Sequence, residues 1–401
     1  MTFRFANGWT PTQTREAMLL DAAVTNLNTG SFGPLPRAVF ERVTALRRRL
    51  AEEPMDFLVR ELPGQLWTAR EALATFLHGD PQRLIFTANV TASINIVASG
   101  LTLDGPGEIL LTDHEYGAMH WCWERFAQRH GMTLRTFPLP ILAREPGEII
   151  AAATKAMTPN TKLFFFSHVL SPTGMVLPAK ELCSEARRRG IITVVDGAHA
   201  PAMIDVRLDD IDADYYGANC HKWLLTPTGS GFLYLGRGNE DRLEPLQVSW
   251  GWRRENRPAD ERDDFGSTPR LRYYEFEGTR DICPWLAVPA AIDFQTQLGF
   301  ENIRKHNASL VQHVRERFAR VAELTLATPT HPESHGFLTA FRLPPRVQAQ
   351  TWRDALWQRW RIEAPIVERP EGLLIRVSTH FYNTTEEIDK LASAVELLIG
   401  V

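Results

Sequence analysis

The sequence predicts an α/β protein in which helices flank a mainly parallel sheet, followed by a smaller α+β domain. Two features of the chain support this prediction. Between about residues 60 and 300, short and nearly uninterrupted apolar runs alternate with segments of helical periodicity. Such runs are typical of strands that are covered on both faces. After about residue 300, the alternation gives way to long helices and a shorter mixed segment.

Six apolar runs are predicted to be strands, and helices are predicted between most of them, as in right-handed βαβ crossovers. The strands lie at residues 83–87, 108–112, 162–167, 191–196, 213–218 and 231–236. The helices lie at residues 91–101, 117–130, 178–189, 285–298 and 301–324. In the closing segment, TTEEIDKLASAVELLIG, either Thr384 or Thr385 is the expected N-cap, because two glutamates occupy the first turn.

These patterns divide the chain into three parts. A large α/β domain is expected at residues 31–298 and a small α+β domain at residues 299–401. Residues 1–30 are expected to pack with the small domain.

A stretch rich in Pro, Arg and Asp at residues 249–270 is predicted to be a long loop. Within it, Trp250 and Trp252 either line a substrate pocket or anchor the loop. Arg253 and Arg254 are expected to be solvated.

Composition and charge are those of a globular protein without a nucleic-acid or membrane partner. The chain has 401 residues and a formal net charge of −4, so nothing indicates binding to an anionic polymer or surface. No signal peptide and no membrane span are expected, because no sufficiently long apolar run is present. The four cysteines have no CxxC spacing, which argues against a disulfide framework or a zinc site and favours a reducing cytoplasm.

One lysine has an unusual setting in the segment DYYGANCHKWLL. Lys222 lies between a histidine and the bulky side chains of a tryptophan and two leucines. A lysine that is withdrawn from water has a lowered pKa and can form a Schiff base. Asp196 ends the preceding predicted strand, IITVVD, and the carboxyl ends of parallel strands face one ligand cleft. A carboxylate there can keep a pyridine nitrogen protonated, so the pair predicts a site for pyridoxal 5'-phosphate (PLP).

Other segments supply what the rest of this cofactor needs. FTANVTASIN ends a strand and begins a helix, so Asn89, Val90 and Thr91 are expected to bind the phosphate at a helix N-terminus. TDHEYGA follows another predicted strand and offers His114 or Tyr116 as a flat group for the ring.

A buried arginine is expected in the C-terminal part of the chain. LLIRVSTHFYN presents Arg376 inside an apolar strand, where an unpaired guanidinium would be costly. The α-carboxylate of a substrate would pair with it in bidentate geometry.

Together these motifs resemble the class V aminotransferase family of fold-type-I PLP enzymes, and within it the isopenicillin N epimerase-like branch. The matching segments run in family order over nearly the whole chain: NLNTGSFGPLP, FTANVTASIN, TDHEYGA, SHVLSPTG, VVDGAHA, DYYGANCHKWL, FEGTRD and IRVSTHFYNTTEEID. The resemblance implies a mainly parallel, seven-stranded sheet flanked by helices, a smaller α+β C-terminal domain, and a homodimer.

The resemblance also implies roles for single residues. Lys222 resembles the Schiff-base lysine and Asp196 the partner of the pyridine nitrogen, while Tyr116 falls at the ring-stacking position. These three are the implied catalytic residues, and Arg376 resembles the substrate carboxylate clamp. Thr279 would be donated by the second subunit. The implied cofactor contacts are Asn89, the Val90 backbone, Thr91, Tyr116, Ser171, Asp196, His199, Asn219, His221, Lys222 and Thr279.

Two departures from the family pattern bear on the reaction. Thr29 stands where epimerase-like sequences often have histidine, which concerns the particular substrate. Cysteine desulfurases of this family carry a nucleophilic cysteine shortly before the arginine strand, but here no cysteine follows Cys283. This absence argues against persulfide-forming desulfuration.

Several reactions can follow once Lys222 has acted as general base at Cα. Reprotonation on the opposite face gives epimerisation, loss of a leaving group gives C–S bond lysis, and protonation of the cofactor gives transamination. The sequence favours epimerisation or lysis of an amino acid or a cysteine-derived conjugate. Transamination, decarboxylation and a non-catalytic PLP-binding regulator are the alternatives.

Overall fold

The computed structural model describes residues 3–103, 105–252 and 258–400. The strands are β1 (Thr25–Asn26), β2 (Leu84–Thr87), β3 (Glu108–Thr112), β4 (Thr133–Phe137), β5 (Thr161–Ser167), β6 (Ile192–Asp196), β7 (Tyr215–Asn219), β8 (Gly231–Leu235), β9 (Thr325–Leu326), β10 (Leu338–Arg342), β11 (Ile362–Glu363), β12 (Ile366–Arg369) and β13 (Gly372–Ser378).

The helices connect and cover these strands. They are α1 (Pro11–Glu16), α2 (Arg37–Glu52), α3 (Pro54–Asp56), α4 (Leu62–Phe76), α5 (Val90–Gly100), α6 (Gly117–His130), α7 (Pro146–Ala156), α8 (Ala179–Arg187), α9 (Leu208–Ile211), α10 (Pro269–Glu275), α11 (Cys283–Leu286), α12 (Val288–Leu298), α13 (Phe300–Phe318), α14 (Ala349–Trp360) and α15 (Thr385–Ile399). A π-helical turn (Phe57–Glu61) and two short 3-10 turns (Pro81–Arg83 and Pro332–Ser334) complete the set.

The large sheet has the order β2-β8-β7-β6-β5-β3-β4. Strands β3 to β7 are parallel, and β8 runs antiparallel to both of its neighbours. Every residue of β2, β7 and β8 is buried, which explains why these segments are apolar without alternation. The predicted α/β class with a mainly parallel sheet is confirmed.

All six predicted strands are present, with bounds within two residues of those expected. The sequence did not reveal β4, an edge strand in which only Phe137 is buried. Its segment, TLRTF, therefore lacks the apolar run on which the other predictions depend.

Two predicted helices have different bounds in the structure. The helix expected at residues 285–298 is two helices, α11 and α12, each with a proline in its first turn. The helix expected at residues 301–324 ends at Phe318. None of the helices in the described ranges is long and apolar enough to cross a membrane.

The C-terminal part of the chain forms a second sheet, which is antiparallel and has the order β12-β13-β10-β9. The N-terminal residues contact this part of the molecule, because Thr25 of β1 pairs with Ile362 of β11 and Phe5 packs edge-on against Phe381. The same segment also contacts α12, where the Ala6 N–H donates to the Leu298 carbonyl, so the division into domains stays a prediction.

The last helix, α15, begins with a capping box. Thr384 is its N-cap: the Thr384 hydroxyl accepts a hydrogen bond from the Glu387 N–H at 3.4 Å, and the Glu387 carboxylate accepts one from the Thr384 N–H at 3.2 Å. The structure thus chooses Thr384 over Thr385, the two candidates that the sequence left open.

Replacing Thr384 by alanine should lower the free energy of unfolding by about 1 kcal/mol, because the substitution leaves the first-turn amide of Glu387 without its acceptor. Urea denaturation followed by circular dichroism measures this loss. Thr385→Ala, one position inside the helix, is the matched control and should cost less. An equal loss in both variants would contradict the assigned cap.

Candidate active site

A cavity of about 420 Å³ lies where the carboxyl ends of the parallel strands meet loops from the C-terminal part of the chain. Nearly all of the residues that the sequence assigned to one site line this cavity. They are Asn89, Val90, Thr91, Tyr116, Ser171, Asp196, His199, Asn219, His221, Lys222 and Arg376. The structure therefore brings them together, while the role of each remains a prediction.

Lys222 lies in the connection between β7 and β8 and reaches the cavity wall. Its amine nitrogen lies 3.2 Å from His199 Nε2. Burial, assisted by the positive charge of Arg376 and opposed by Asp196, lowers the pKa of the Lys222 amine to about 8. A substantial fraction of this amine is therefore neutral near pH 8, as a nucleophile or a base requires.

Asp196 is the last residue of β6 and is almost completely buried. One carboxylate oxygen accepts a hydrogen bond from the Ala198 N–H at 2.8 Å. Burial raises the pKa of this carboxyl to about 6, against the opposing effects of that hydrogen bond and of Lys222. A buried carboxylate with so few donors among the described residues is suited to a cationic ligand group.

The N-terminus of α5 forms another part of the wall. Asn89 is the N-cap, and its side chain accepts a hydrogen bond from the Ala92 N–H at 2.9 Å. The Val90 N–H donates to the side-chain oxygen of Asn219, also at 2.9 Å. The backbone of Val90, which the family resemblance assigned to the phosphate, is thus already paired. Because the first amides of a helix lack intrahelical acceptors, the Thr91 N–H remains for an anion.

His221 lines the same side of the cavity. Its Nδ1 lies 3.3 Å from the Ser230 carbonyl oxygen. Burial, together with the positive charge of Lys222, lowers the pKa of the His221 imidazole. Since a carbonyl only accepts, Nδ1 carries the proton in the neutral ring and Nε2 is the ring's acceptor.

The two aromatic candidates after β3 lie in different places. Tyr116 lines the cavity and is half exposed, immediately before α6. His114 is buried outside the cavity lining, with Nδ1 at 2.7 Å from Asp113 and Nε2 at 3.3 Å from Glu371. Of the two alternatives for the ring-stacking group, the structure therefore favours Tyr116, because carboxylates on both sides hold His114 away from the cavity.

Arg376 lies on β13 and crosses from the small sheet into the cavity. Its guanidinium donates to the Ser171 carbonyl at 2.8 Å and to the Ser171 hydroxyl at 3.0 Å. It also donates to Ser31 Oγ at 3.0 Å and to Asn28 Oδ1 at 3.2 Å. Burial lowers the pKa of Arg376 to about 10, so the group stays charged at neutral pH.

These partners of Arg376 in the described part of the chain are all neutral, and its Nε is buried without a partner there. A buried guanidinium without a carboxylate is suited to an anionic ligand. The structure also pairs Ser171 with this arginine, whereas the resemblance had assigned Ser171 to the cofactor ring.

Sequence reasoning missed several lining residues in the segment NLNTGSFG. Gly30, Ser31 and Phe32 face the cavity. The neighbouring Gly33 donates its N–H to the His221 carbonyl at 3.0 Å, and a Cβ there would clash with the carbonyl of Lys222. The glycines of this motif were the available signal, since they permit close backbone approach.

Thr29, the departure noted in the same motif, is buried outside the cavity lining. Its hydroxyl is hydrogen-bonded to that of Tyr382. Thr29 therefore belongs to a packed polar pair and does not face the cavity.

Glu115 is a second omission. Its buried carboxylate accepts hydrogen bonds from the Ser167 N–H at 3.0 Å, the Ser167 hydroxyl at 2.6 Å and the Thr112 hydroxyl at 2.6 Å. Burial raises its pKa to about 7, although these hydrogen bonds act in the opposite direction. The contacts tie the turn that carries Tyr116 to the end of β5.

Some predicted residues lie away from the cavity. Thr279 lines a different pocket, next to Arg280 and Trp285. Trp250 is largely exposed, while Trp252 stacks on Tyr273 with ring centroids 5.5 Å apart, as expected of a loop anchor. Arg253 and Arg254 lie outside the described residues.

Comparison with known proteins agrees with this geometry. The family model Aminotransferase class-V matches residues 36–391. The chain belongs to the class V aminotransferase family. This class V protein is 57% identical over 390 residues to an isopenicillin N epimerase of Streptomyces clavuligerus, covering 97% of this chain and 98% of that one. It is 54% identical over 388 residues to an isopenicillin N epimerase of Amycolatopsis lactamdurans, covering 96% and 97% respectively.

Solved structures give the same fold for this class V protein. A mutant of C-DES with glycine covalently linked to its PLP cofactor superposes with a TM-score of 0.83 at 25% identity, covering 95% of this chain and 98% of that one. The complex of the cystine C–S lyase C-DES with its product cysteine persulfide gives a TM-score of 0.81, also at 25% identity, covering 94% and 98%. The fold-type-I prediction is confirmed.

The class V protein is a PLP-dependent enzyme, and its cavity fits the cofactor. Asp196 is a buried carboxylate suited to the pyridine nitrogen, Lys222 is an amine of lowered pKa, and the Thr91 amide is a donor for the phosphate. The alternative of a non-catalytic PLP-binding regulator is set aside.

Replacing Lys222 by alanine should abolish the visible absorption band that PLP gives when it is bound as a Schiff base, because the variant lacks the amine that condenses with the aldehyde. Absorbance spectra of the purified variant measure this loss. Lys180→Ala, at an exposed position of α8, is the control and should keep the band. A band that persists in Lys222→Ala would show that another lysine holds the cofactor.

Proposed function

We propose that this class V enzyme is an epimerase that inverts the Cα configuration at the amino-acid end of isopenicillin N or a close analogue. The observation that carries the proposal is the identity of 57% and 54%, over nearly the full length, to two isopenicillin N epimerases. The geometry supports it, because a proton acceptor and a carboxylate-binding group open into one cavity.

Arg376 is proposed to bind the α-carboxylate of the substrate. Its buried charge has only neutral acceptors among the described residues, so a carboxylate gains two charge-assisted hydrogen bonds there. Ser171 accepts from one terminal nitrogen of the guanidinium and Ser31 accepts from the other, so two loops hold the group in place. Binding of the α-carboxylate at Arg376 would orient the substrate's Cα towards Lys222.

Lys222 is proposed to accept the Cα proton. The lowered pKa of its amine makes it neutral often enough to act as a base near pH 8. PLP, when bound, supplies an electron sink for the charge that the proton leaves behind. Asp196 is proposed to hold the pyridine nitrogen in its protonated form, since a buried carboxylate favours a neighbouring cation.

The remaining assignments are proposed on similar grounds. Asn89, Thr91, Asn219 and His221 surround the N-terminus of α5, where an anion is stabilised. Tyr116 is proposed to stack on the ring from the rim of the cavity.

A homodimer is also proposed. Thr279 lies away from the cavity of its own chain, which is compatible with a contact to the cofactor of a second subunit. The neighbouring Val59 and Phe265 are exposed apolar side chains in the same pocket, and a partner chain would remove them from water. A cytoplasmic location is proposed because all four cysteines are free.

Cleavage of a C–S bond is the second candidate function. The fold likeness to the C–S lyase C-DES favours it. It needs the same Cα proton abstraction by Lys222, followed by loss of a leaving group instead of reprotonation.

Incubation of the enzyme with isopenicillin N in D₂O should give deuterium at the Cα of the amino-acid end and a mixture of the two epimers. Proton NMR measures the exchange, and chiral chromatography measures the epimers. Lys222→Ala is the control without the base and should give neither. Release of pyruvate and a thiol from cysteine conjugates, with isopenicillin N left unchanged, would support the lyase instead.

Replacing Arg376 by lysine should lower kcat/KM by about 10- to 100-fold, since an ammonium replaces a fork of parallel donors by a single charge. The visible PLP spectrum should be retained. Steady-state kinetics measure the effect, and Arg353→Lys is the matched control, because Arg353 lies on α14 and pairs with Glu368 of β12, outside the cavity lining. Unchanged kcat/KM in Arg376→Lys would remove this residue from substrate binding.

A further inference from the structure

A hydrogen-bond relay joins a buried tryptophan to the cavity lysine. The Trp223 indole N–H donates to His199 Nδ1 at 3.3 Å, and His199 Nε2 lies 3.2 Å from the Lys222 amine. Trp223 is fully buried, and it does not line the cavity. It therefore acts on the cavity only through its neighbours.

This relay determines which nitrogen of His199 carries the proton. An indole N–H can only donate, so Nδ1 must be the accepting nitrogen of the ring. Burial, assisted by the charges of Lys222, Arg376 and His221, lowers the pKa of His199 well below its usual range, so the ring is neutral. In a neutral imidazole that accepts at Nδ1, the proton is on Nε2.

The Nε2–H of His199 then points at the nitrogen of Lys222. A protonated lysine has no lone pair and cannot accept this hydrogen bond, whereas a neutral amine can. The other charged groups that face Lys222 are Asp196 at the end of β6, which favours the ammonium, and Arg376 on β13, which disfavours it. The hydrogen bond from His199 therefore favours the neutral amine, as the charge of Arg376 does, whereas Asp196 favours the ammonium.

Packing holds the indole in this orientation. The Trp223 ring stacks on His380, with centroids 5.8 Å apart and planes at 26°. Its backbone carbonyl accepts hydrogen bonds from the Gln295 side chain at 2.9 Å and from His380 Nε2 at 2.9 Å. The stacking fixes the indole ring and the two hydrogen bonds fix the backbone of Trp223, so the N–H has little freedom to choose another acceptor.

We propose that Trp223 is a positioning residue that sets the Nε2–H tautomer of His199 and thereby stabilises the neutral form of the Lys222 amine, the form that reacts with the cofactor. In that reaction, the lone pair of the amine attacks the aldehyde carbon of PLP. A C=N bond forms, and the aldehyde oxygen leaves as water with the two amine hydrogens. Trp223 does not line the cavity, so its effect passes through His199.

The tautomer can be measured directly in the full-length wild-type protein. Two-dimensional ¹H–¹⁵N NMR of protein labelled at histidine nitrogens distinguishes a protonated from an unprotonated ring nitrogen. The signals of His199 are identified by their loss in His199→Asn. A proton on Nε2 and none on Nδ1 is the expected result, and the opposite tautomer or a doubly protonated ring near pH 7 would overturn the proposal.

A second experiment measures the consequence for Lys222. PLP is added to the apo form of the full chain, and the rate of appearance of the visible band is followed against pH. In wild type the rate should rise through the pKa of the lysine, near pH 8. In Trp223→Phe, the proton of His199 can move to Nδ1, and Nε2 can then accept a hydrogen bond from the Lys222 ammonium. The midpoint of the rate against pH should therefore move up by about one pH unit, and the rate at pH 7 should fall about tenfold.

Trp123→Phe is the matched control, because this tryptophan is also fully buried but its indole N–H has no partner among the described residues. Its midpoint should equal that of wild type. A Trp223→Phe midpoint that is unchanged or lowered would overturn the proposal. If Trp223→Phe does not fold, the tautomer of His199 measured in the wild-type protein still tests the proposal.

Discussion

The withdrawal of charged side chains from water is the constraint on which the whole site depends. Lys222, Asp196 and Arg376 line one cavity. An isolated buried ion is costly in free energy unless it is neutralised or paired. Burial lowers the pKa of Lys222 and raises that of Asp196, so each approaches its neutral form. Arg376 cannot neutralise in this way and spreads its charge over neutral acceptors. A cationic ring nitrogen and a substrate carboxylate would complete the electrostatics of this cavity.

The fold meets this constraint by supplying the groups from two sheets. The register of the parallel strands sets Ser167, Asp196 and Gly217 side by side at one edge of the large sheet. Arg376 comes from the small antiparallel sheet and reaches Ser171 in a loop of the large one. Asp196 thus reaches the cavity from the carboxyl end of a parallel strand and Arg376 reaches it from the other sheet, so any relative movement of the two sheets would change the distance between Arg376 and Lys222.

The sequence predicted much of this site because its signals are local. Asp196 ends an apolar strand, Lys222 follows another by three residues, and Asn89 caps a helix that directly follows a third. The sequence did not predict strand β4, because an edge strand that is mostly exposed has no apolar run. His114 and Tyr116 could not be ranked from the sequence, since they lie two residues apart in one turn and only the contacts of His114 with Asp113 and Glu371 show that it is held outside the cavity.

By itself the sequence determined the α/β class, six of the seven strands of the large sheet, the family and the residue types needed for PLP chemistry. Periodic patterns and short motifs encode these properties, because each depends on residues that are close in the chain. Only the tertiary structure decided three hydrogen bonds: Asn219 accepts from the Val90 N–H, Ser31 accepts from Arg376, and the Trp223 indole donates to His199. Of these contacts, the first two join residues far apart in sequence, and the third joins an indole and an imidazole on separate loops. Their geometry follows from side-chain packing between elements, which no local pattern records.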